Sequence, residues 1–576
     1  MSETGDLITR IYSGFRGVDF RGDEINIVRS PDSLNVWKDY ADLEKAQARP
    51  GDTIRTRPGM RKLLDGSSAV TGIHFYNGEL IAHMGNALYR VEGDGLIKIA
   101  DVAYGGGRSF VFNGTWYFMD GEHYYQYNGT TCKDVVPYVP TTTIGRAPLG
   151  GGTVYQDVNL LNVRKRKNSF VADGTAEYFL DVPYVKSIDR VTVNGEVVSP
   201  SDYTMLIEDS NKYRGSLEFI NNIPQPPMTD GQDNVVIEFT VADDGEPVDQ
   251  HREMILKCKL LQLFDNRVFV SGNDEYPNTL WHCALQDPSY FSDTDRYTDG
   301  VDSAKITGLV AGNNALWVFR EPSEANTSIF YHTPTIDGEL GKVYPYQHSS
   351  ISTGCVGEAI NFNDDIVFFS ERGMEGMSGD ITTEQAVAHR SSLVDRKLMA
   401  LSGYKNMILA EWQGYLVVFI GKEAFLADSR AVFANENHTE YEWFYWQMEK
   451  EITCATVYGG KLYLGADDGV YTLDDMTAAL ESYWVTPKDK FKASNRLKTT
   501  NKRGCVVEAT GDITVYAKTE DTGFEEIGKY TGVTDYFVSR IKRKKFKDIQ
   551  LKFHSYTRFS LETATLECFI GGYIKR

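Results

Sequence analysis

One pattern limits the fold more than any other feature, because it repeats. The stretch "YNGELIAHMGNALYRVEG" from Tyr76 aligns with "FNGTWYFMDGEHYYQYNG" from Phe112 at an offset of 36 residues. Asn77 meets Asn113, Gly78 meets Gly114, Gly85 meets Gly121, Tyr89 meets Tyr125 and Gly93 meets Gly129. Each stretch reads strand, Asn-Gly turn, strand, turn, strand; the Asn-Gly pair suits a tight hairpin with positive φ at both central residues. Looser copies follow in "FDNRVFVSG" from Phe264, "GNNALWVFRE" from Gly312, "FNDDIVFFSERG" from Phe362, "WQGYLVVFIGKEAF" from Trp412 and "YGGKLYLGADDGVY" from Tyr458. Their turn markers, Asn266, Asn314, Asp364, Gly414 and Gly460, stand near fifty residues apart. That is the period of four-stranded propeller blades. The pattern predicts an all-β chain, a β-propeller of six to eight blades, over the competing arrangement of stacked sandwiches.

The phase breaks once, between Gly129 and Phe264, where "VTVNGEVV", "GSLEFI" and "NVVIEFTV" alternate on their own register. An inserted β-sandwich is expected there. The expected plan is an extended N-terminal arm over 1–67, first blades over 68–149, a sandwich over 150–249, further blades over 250–478 and a basic β-rich domain over 479–576. The arm carries two stiff turns, Ser30-Pro31-Asp32 and Arg57-Pro58-Gly59. In each, proline pre-sets one backbone angle.

Charge is divided along the chain. The whole carries −20, yet residues 481–576 hold 19 Lys/Arg against 12 Asp/Glu, so the remainder carries about −27. Such a balance argues against an outer surface that grips nucleic acid by its phosphates. The basic run "VSRIKRKKFKDIQ" needs solvent or an acidic partner. Arg540, Lys542, Arg543, Lys544, Lys545 and Lys547 are therefore candidate subunit-interface residues, together with Trp37, Arg55 and Arg57 of the arm. Seven dispersed Cys without paired spacing point to reduced thiols, and the first residues lack the charged and apolar regions of a secretory leader. The longest apolar runs, such as "YLVVFIG", are too short to cross a bilayer, so no membrane insertion is expected.

Catalytic and cofactor motifs are scarce. No GxxxxGK[ST] loop, HExxH or GxSxG is present, and the ten His are isolated. "DTDRYTDG" (Asp293–Gly300) has the acidic spacing of a calcium loop, but Ile306 stands where a bidentate Glu is needed. No metal or cofactor is expected, and no enzyme.

The arm segments "SPDSLNVW" and "IRTRPGM", ahead of propeller-like units, resemble the tail stabilisation or nozzle proteins of short-tailed bacteriophages. So do "RVFVSGNDEYPNTLWHCALQDPSYFSD", "GCVGEAINFNDDIVFFSERGMEGMSGD" and the closing "SYWVTPKDKF…RLK". The resemblance implies a structural virion protein, made in the host cytoplasm and placed in the tail. There it would form a homo-oligomeric tube, a hexamer, below the portal-adaptor ring. It would hold tail fibres or spikes outside and conduct genomic DNA through an acidic lumen without sequence-specific binding. The alternative is a propeller-based tail protein that binds or degrades glycans, which would need two carboxylates brought together by the fold.

Overall fold

The computed structural model describes residues 6–23, 25–40, 53–93, 95–206, 214–242, 248–325, 327–338, 341–349, 351–377, 386–435, 438–533, 536–539 and 545–573. The protein is all-β, a β-propeller with an inserted two-sheet domain and a C-terminal β-rich domain. Seven four-stranded antiparallel sheets of blade type are found among the described residues.

Each blade opens on a hairpin, and the seven hairpin turns share one conformation. Their central pairs are Asn77-Gly78, Asn113-Gly114, Asp265-Asn266, Asn313-Asn314, Asn363-Asp364, Gln413-Gly414 and Gly459-Gly460. All fourteen residues have φ between 48° and 86°. Positive φ at both positions is the turn whose twist matches the flanking strands, and Asn, Asp and Gly reach it at least cost. The residue just before the turn is aromatic in six blades: Tyr76, Phe112, Phe264, Phe362, Trp412 and Tyr458. In the fourth blade it is Gly312, whose carbonyl accepts a hydrogen bond from Trp317 Nε1 at 3.1 Å.

The seventh blade contains Cys454–Tyr458, Lys461–Ala466 and Gly469–Asp475, and its fourth strand comes from the other end of the chain. Gly59–Asp65 pairs antiparallel with Gly469–Asp475. Leu64 and Val470 then share one apolar cluster with Val70, Ile73 and Met84 of the first blade.

The described part of the expected extended arm over 1–67 is built into the fold. Asp6–Tyr12 pairs along its length with Phe559–Tyr573. Ser33–Leu34, Val36–Trp37 and Ile54–Thr56 join the 11-stranded sheet built by the C-terminal residues. Trp37, at 2% exposure, stacks on Trp412 at 5.4 Å and meets Trp446 edge-on at 5.6 Å. Arg57 is fully buried and spends its guanidinium on Asn35 Oδ1, the Pro58 and Gln447 carbonyls and Glu449. A buried guanidinium is tolerated only when its donors are satisfied, and here they are met from within the chain. These residues are part of the chain's own core.

Contact clustering divides the chain into two compact units, 1–98 with 321–329 and 348–576, and 99–320 with 330–347. The first unit holds most of the first blade, the fifth, sixth and seventh blades and the 11-stranded sheet. The second holds the second and third blades, most of the fourth, and the inserted domain. That domain begins earlier than expected, at Thr141–Arg146, which pairs in parallel with Lys165–Phe170. Its six-stranded and three-stranded sheets enclose Phe170, Tyr178, Leu180, Val191, Leu217, Phe219, Val235, Ile237 and Phe239.

Candidate active site

The third blade contains Leu260–Phe264, Arg267–Ser271, Thr279–His282 and Arg296–Thr298. Its last two strands are joined by a long connection that the segment 157–161 holds in place. Asn159, fully buried, donates through Nδ2 to the Tyr138 and Ser289 carbonyls and accepts through Oδ1 from the Leu161 and Phe291 amides. Leu160 N donates to the Phe291 carbonyl at 2.8 Å and Asp293 N to the Val158 carbonyl at 3.2 Å. This pairing carries two carboxylates, Asp157 and Asp295, onto one stretch of surface.

Their surroundings differ. Asp157 is exposed, and its Oδ2 accepts from Thr294 Oγ1 at 2.7 Å and from Ser292 Oγ at 3.4 Å. Asp295 sits one residue beyond Thr294, where its carbonyl accepts from the His282 amide. Its side chain is 35% exposed, and the nearest cationic or imidazole nitrogen is His282 Nδ1 at 3.9 Å. Among the described residues no side-chain hydrogen bond compensates for the water it has lost. Burial therefore pushes its pKa up to about 6, with the Arg267 charge opposing and the Asp157 charge reinforcing the rise. Two neighbouring carboxyls held in unlike environments are the usual arrangement for dividing acid and base roles.

His282 supports this pair without charging it. The ring is 2% exposed and packs against Phe269, Tyr297 and Tyr344. Nδ1 donates to the Cys283 carbonyl at 2.9 Å, and Nε2 has no hydrogen-bond partner among the described residues. Burial lowers the pKa to about 4, so the imidazole is neutral beside Asp295 at neutral pH. Arg267, whose charge acts on Asp295, donates through Nε to Tyr344 Oη at 3.0 Å and through Nη1 to the Cys283 carbonyl at 2.9 Å. Tyr344 Oη donates in turn to Asp265 Oδ2 at 2.7 Å.

A second carboxylate cluster, in the fifth blade, is chemically closed. His389 faces Asp395 Oδ2 through Nε2 at 2.6 Å and Glu375 Oε1 through Nδ1 at 3.4 Å. Burial alone would lower its pKa, but the two carboxylates outweigh that and hold it at about 10. Both carboxylates are thus paired with the imidazolium at neutral pH, and Glu375 also meets Arg372 Nε at 3.2 Å. Among the described residues no group of three or more His, Cys, Asp or Glu side chains is placed to hold a metal ion.

The interface candidates read from the sequence fall elsewhere. Trp37 and Arg57 are internal, as described above, and Arg55 is half-buried opposite Trp37. Lys545 and Lys547 are exposed, on either side of the buried Phe546. Arg540, Lys542, Arg543 and Lys544 lie outside the described residues. Sequence reading missed Asp157, Asp295 and His282. The signal for Asp295 was the acidic stretch Asp293–Gly300, and the fold scatters its acids. Asp295 points to the pair, while Asp299 is fully buried against His332 Nε2 at 3.1 Å.

No protein-family model and no curated protein matches the sequence. Solved structures do share features of the fold. BamB from Moraxella catarrhalis superposes with a TM-score of 0.29 at 11% identity, over 73% of this chain and 96% of that one. An exo-β-1,3-galactanase from Phanerochaete chrysosporium gives 0.21 at 7% identity, over 53% and 94%. A structure described as a glycoside hydrolase gives 0.22 at 8%, over 88% and 99%. Glycoside hydrolases thus stand among the structural neighbours, which corrects the expectation that the chain is not an enzyme. At these identities the likeness concerns fold alone.

Proposed function

We propose that the chain is a glycan-directed β-propeller protein of a bacteriophage tail, with Asp295 and Asp157 at its working site. The observation that carries the glycan reading is the half-buried carboxyl of Asp295, its pKa pushed up to about 6, beside the exposed, hydroxyl-bound carboxyl of Asp157. Hydrolysis of a glycosidic bond requires one carboxyl that can still hold a proton and a second that does not. The tail assignment is supported by the sequence resemblance of the segments quoted above. The test is to incubate the pure protein with capsule or lipopolysaccharide glycans of candidate hosts and follow chain length by mass spectrometry. Shortened or retained glycan supports the reading; a panel neither bound nor cut removes it.

A second reading, a tube subunit that passes DNA below the portal-adaptor ring and carries fibres, is favoured by the charge division. A basic module with exposed Lys545 and Lys547 on an otherwise acidic chain suits contacts between copies. Native mass spectrometry across a salt series tests it: a closed oligomer that loosens with salt supports the tube, and a monomer at every ionic strength rejects it.

A further inference from the structure

The chain holds four Asn-Gly pairs, and the fold treats one of them differently. Asn77, Asn113 and Asn194 take φ of 49°, 48° and 51°. Each closes a hairpin whose ladder resumes at once, with Tyr76 opposite Glu79, Phe112 opposite Thr115 and Val193 opposite Glu196. Asn128 keeps a negative φ and stands in the loop between Tyr124–Tyr127 and Cys132–Asp134 of the second blade. We propose that Asn128 is a site of spontaneous covalent modification, where the side chain closes on the Gly129 amide and is converted to aspartate or isoaspartate. The Gly129 nitrogen would form a bond to Asn128 Cγ while the Cγ–Nδ2 bond breaks, and ammonia would depart carrying the proton of the Gly129 amide. Water would then open the cyclic imide at either carbonyl. One water is consumed and one ammonia released, and no oxidant or cofactor takes part.

Three observations set Asn128 apart. First, its Oδ1 accepts from the Thr130 amide at 3.0 Å and from the Thr131 amide at 2.9 Å. Two backbone N–H groups therefore sit where negative charge develops as Cγ becomes tetrahedral, the arrangement that stabilises an oxyanion. Among the described residues nothing donates to Oδ1 of Asn77, Asn113 or Asn194, and the Asn113 side chain instead donates through Nδ2 to the Gln286 carbonyl at 3.4 Å. Second, the attacking group is uncommitted. The Gly129 amide donates to no partner among the described residues, and glycine has no Cβ to obstruct the approach to Cγ. Asn128 itself is exposed, so water and base reach it. Third, ring closure here costs the ladder nothing. In the three hairpins the left-handed ψ, about +47°, points the following nitrogen away from Cβ, so closure would have to unmake the turn. Around Asn128 the flanking pair is Tyr127 opposite Cys132, and closure within the loop leaves it in place. The two products differ in consequence. Aspartate keeps both amide bonds and strengthens them with its charge. Isoaspartate adds a methylene to the backbone and displaces Cys132–Asp134, the last strand of its sheet.

The experiment follows the four pairs together. The full chain is held at mildly alkaline pH in oxygen-labelled water, folded in one arm and unfolded in guanidinium chloride in the other. The peptide around each Asn-Gly pair is quantified over time by mass spectrometry. In the folded arm Asn128 should convert faster than Asn77, Asn113 and Asn194 by about tenfold or more, equivalent to ~1.4 kcal/mol in the barrier. The new carboxyl should carry labelled oxygen. In the unfolded arm the four rates should converge, because the hairpin turns and the two amide donors are gone. Folded Asn128 converting no faster than the other three overturns the proposal. So does the same lead persisting in the unfolded chain, since the cause would then be the neighbouring sequence and not the fold.

Discussion

Asp295 shows what an unpaired carboxyl costs a fold. Its pKa is raised from the ordinary range to about 6, so the folded protein binds the proton more tightly than the unfolded chain. The resulting penalty is fully present above about pH 6 and is relieved as the pH falls toward the unfolded value. Discounted for solvent screening at a side chain 35% exposed, it amounts to about 1 kcal/mol. D295N should therefore raise the urea midpoint at pH 7.5 and change it little at pH 4. His389 behaves in the opposite way, since its pKa is held up at about 10. Its contribution is complete below the unfolded value near 6.5 and disappears as the pH rises through 10. H389Q should destabilise the protein at pH 7 by about 1–3 kcal/mol, because it leaves Asp395 without its cation, while Glu375 keeps Arg372 Nε at 3.2 Å. Urea denaturation of both variants across pH tests the two signs. Neither residue stands out in the sequence, because burial and unpaired charge arise only from long-range packing.

At the scale of the element, the hairpin turns were the legible part. Asn-Gly at 77–78 and 113–114 states its backbone requirement directly, and the looser copies fall on the same two positions. Gly460 has φ +76 and open space where a Cβ would stand. G460A should thus cost about 1–2 kcal/mol through backbone strain alone. Gly17 is the contrasting case: a Cβ there would lie 1.7 Å from the Trp443 carbonyl oxygen. G17A should cost more than G460A, by unseating the segment that docks on the sixth blade, and thermal unfolding of the pair would rank them. Illegible in the sequence was the partner of each strand. Gly59–Asp65 has the turn chemistry of a free arm, and nothing local announces that it pairs four hundred residues away.

At the scale of the whole molecule, chain ends and core are interdependent. Removing residues 1–65 takes the fourth strand from the seventh blade and Trp37 from its stack on Trp412. The shortened chain should bind a hydrophobic dye and be cleaved rapidly by protease, where a detachable arm would leave a stable remainder. Limited proteolysis tests this. The repeat period conveyed the architecture and the blade number range. The site escaped detection because Asp157 and Asp295 are 138 residues apart and meet only through the pairing organised by Asn159.

The most direct test is the titration of the Asp295 carboxyl itself, followed by carbon NMR on aspartate-labelled protein and assigned by difference against D295N. A midpoint near 6, shifting downward when Asp157 is replaced by Asn, is the predicted result. A midpoint in the ordinary range near 4, indifferent to Asp157, would contradict it.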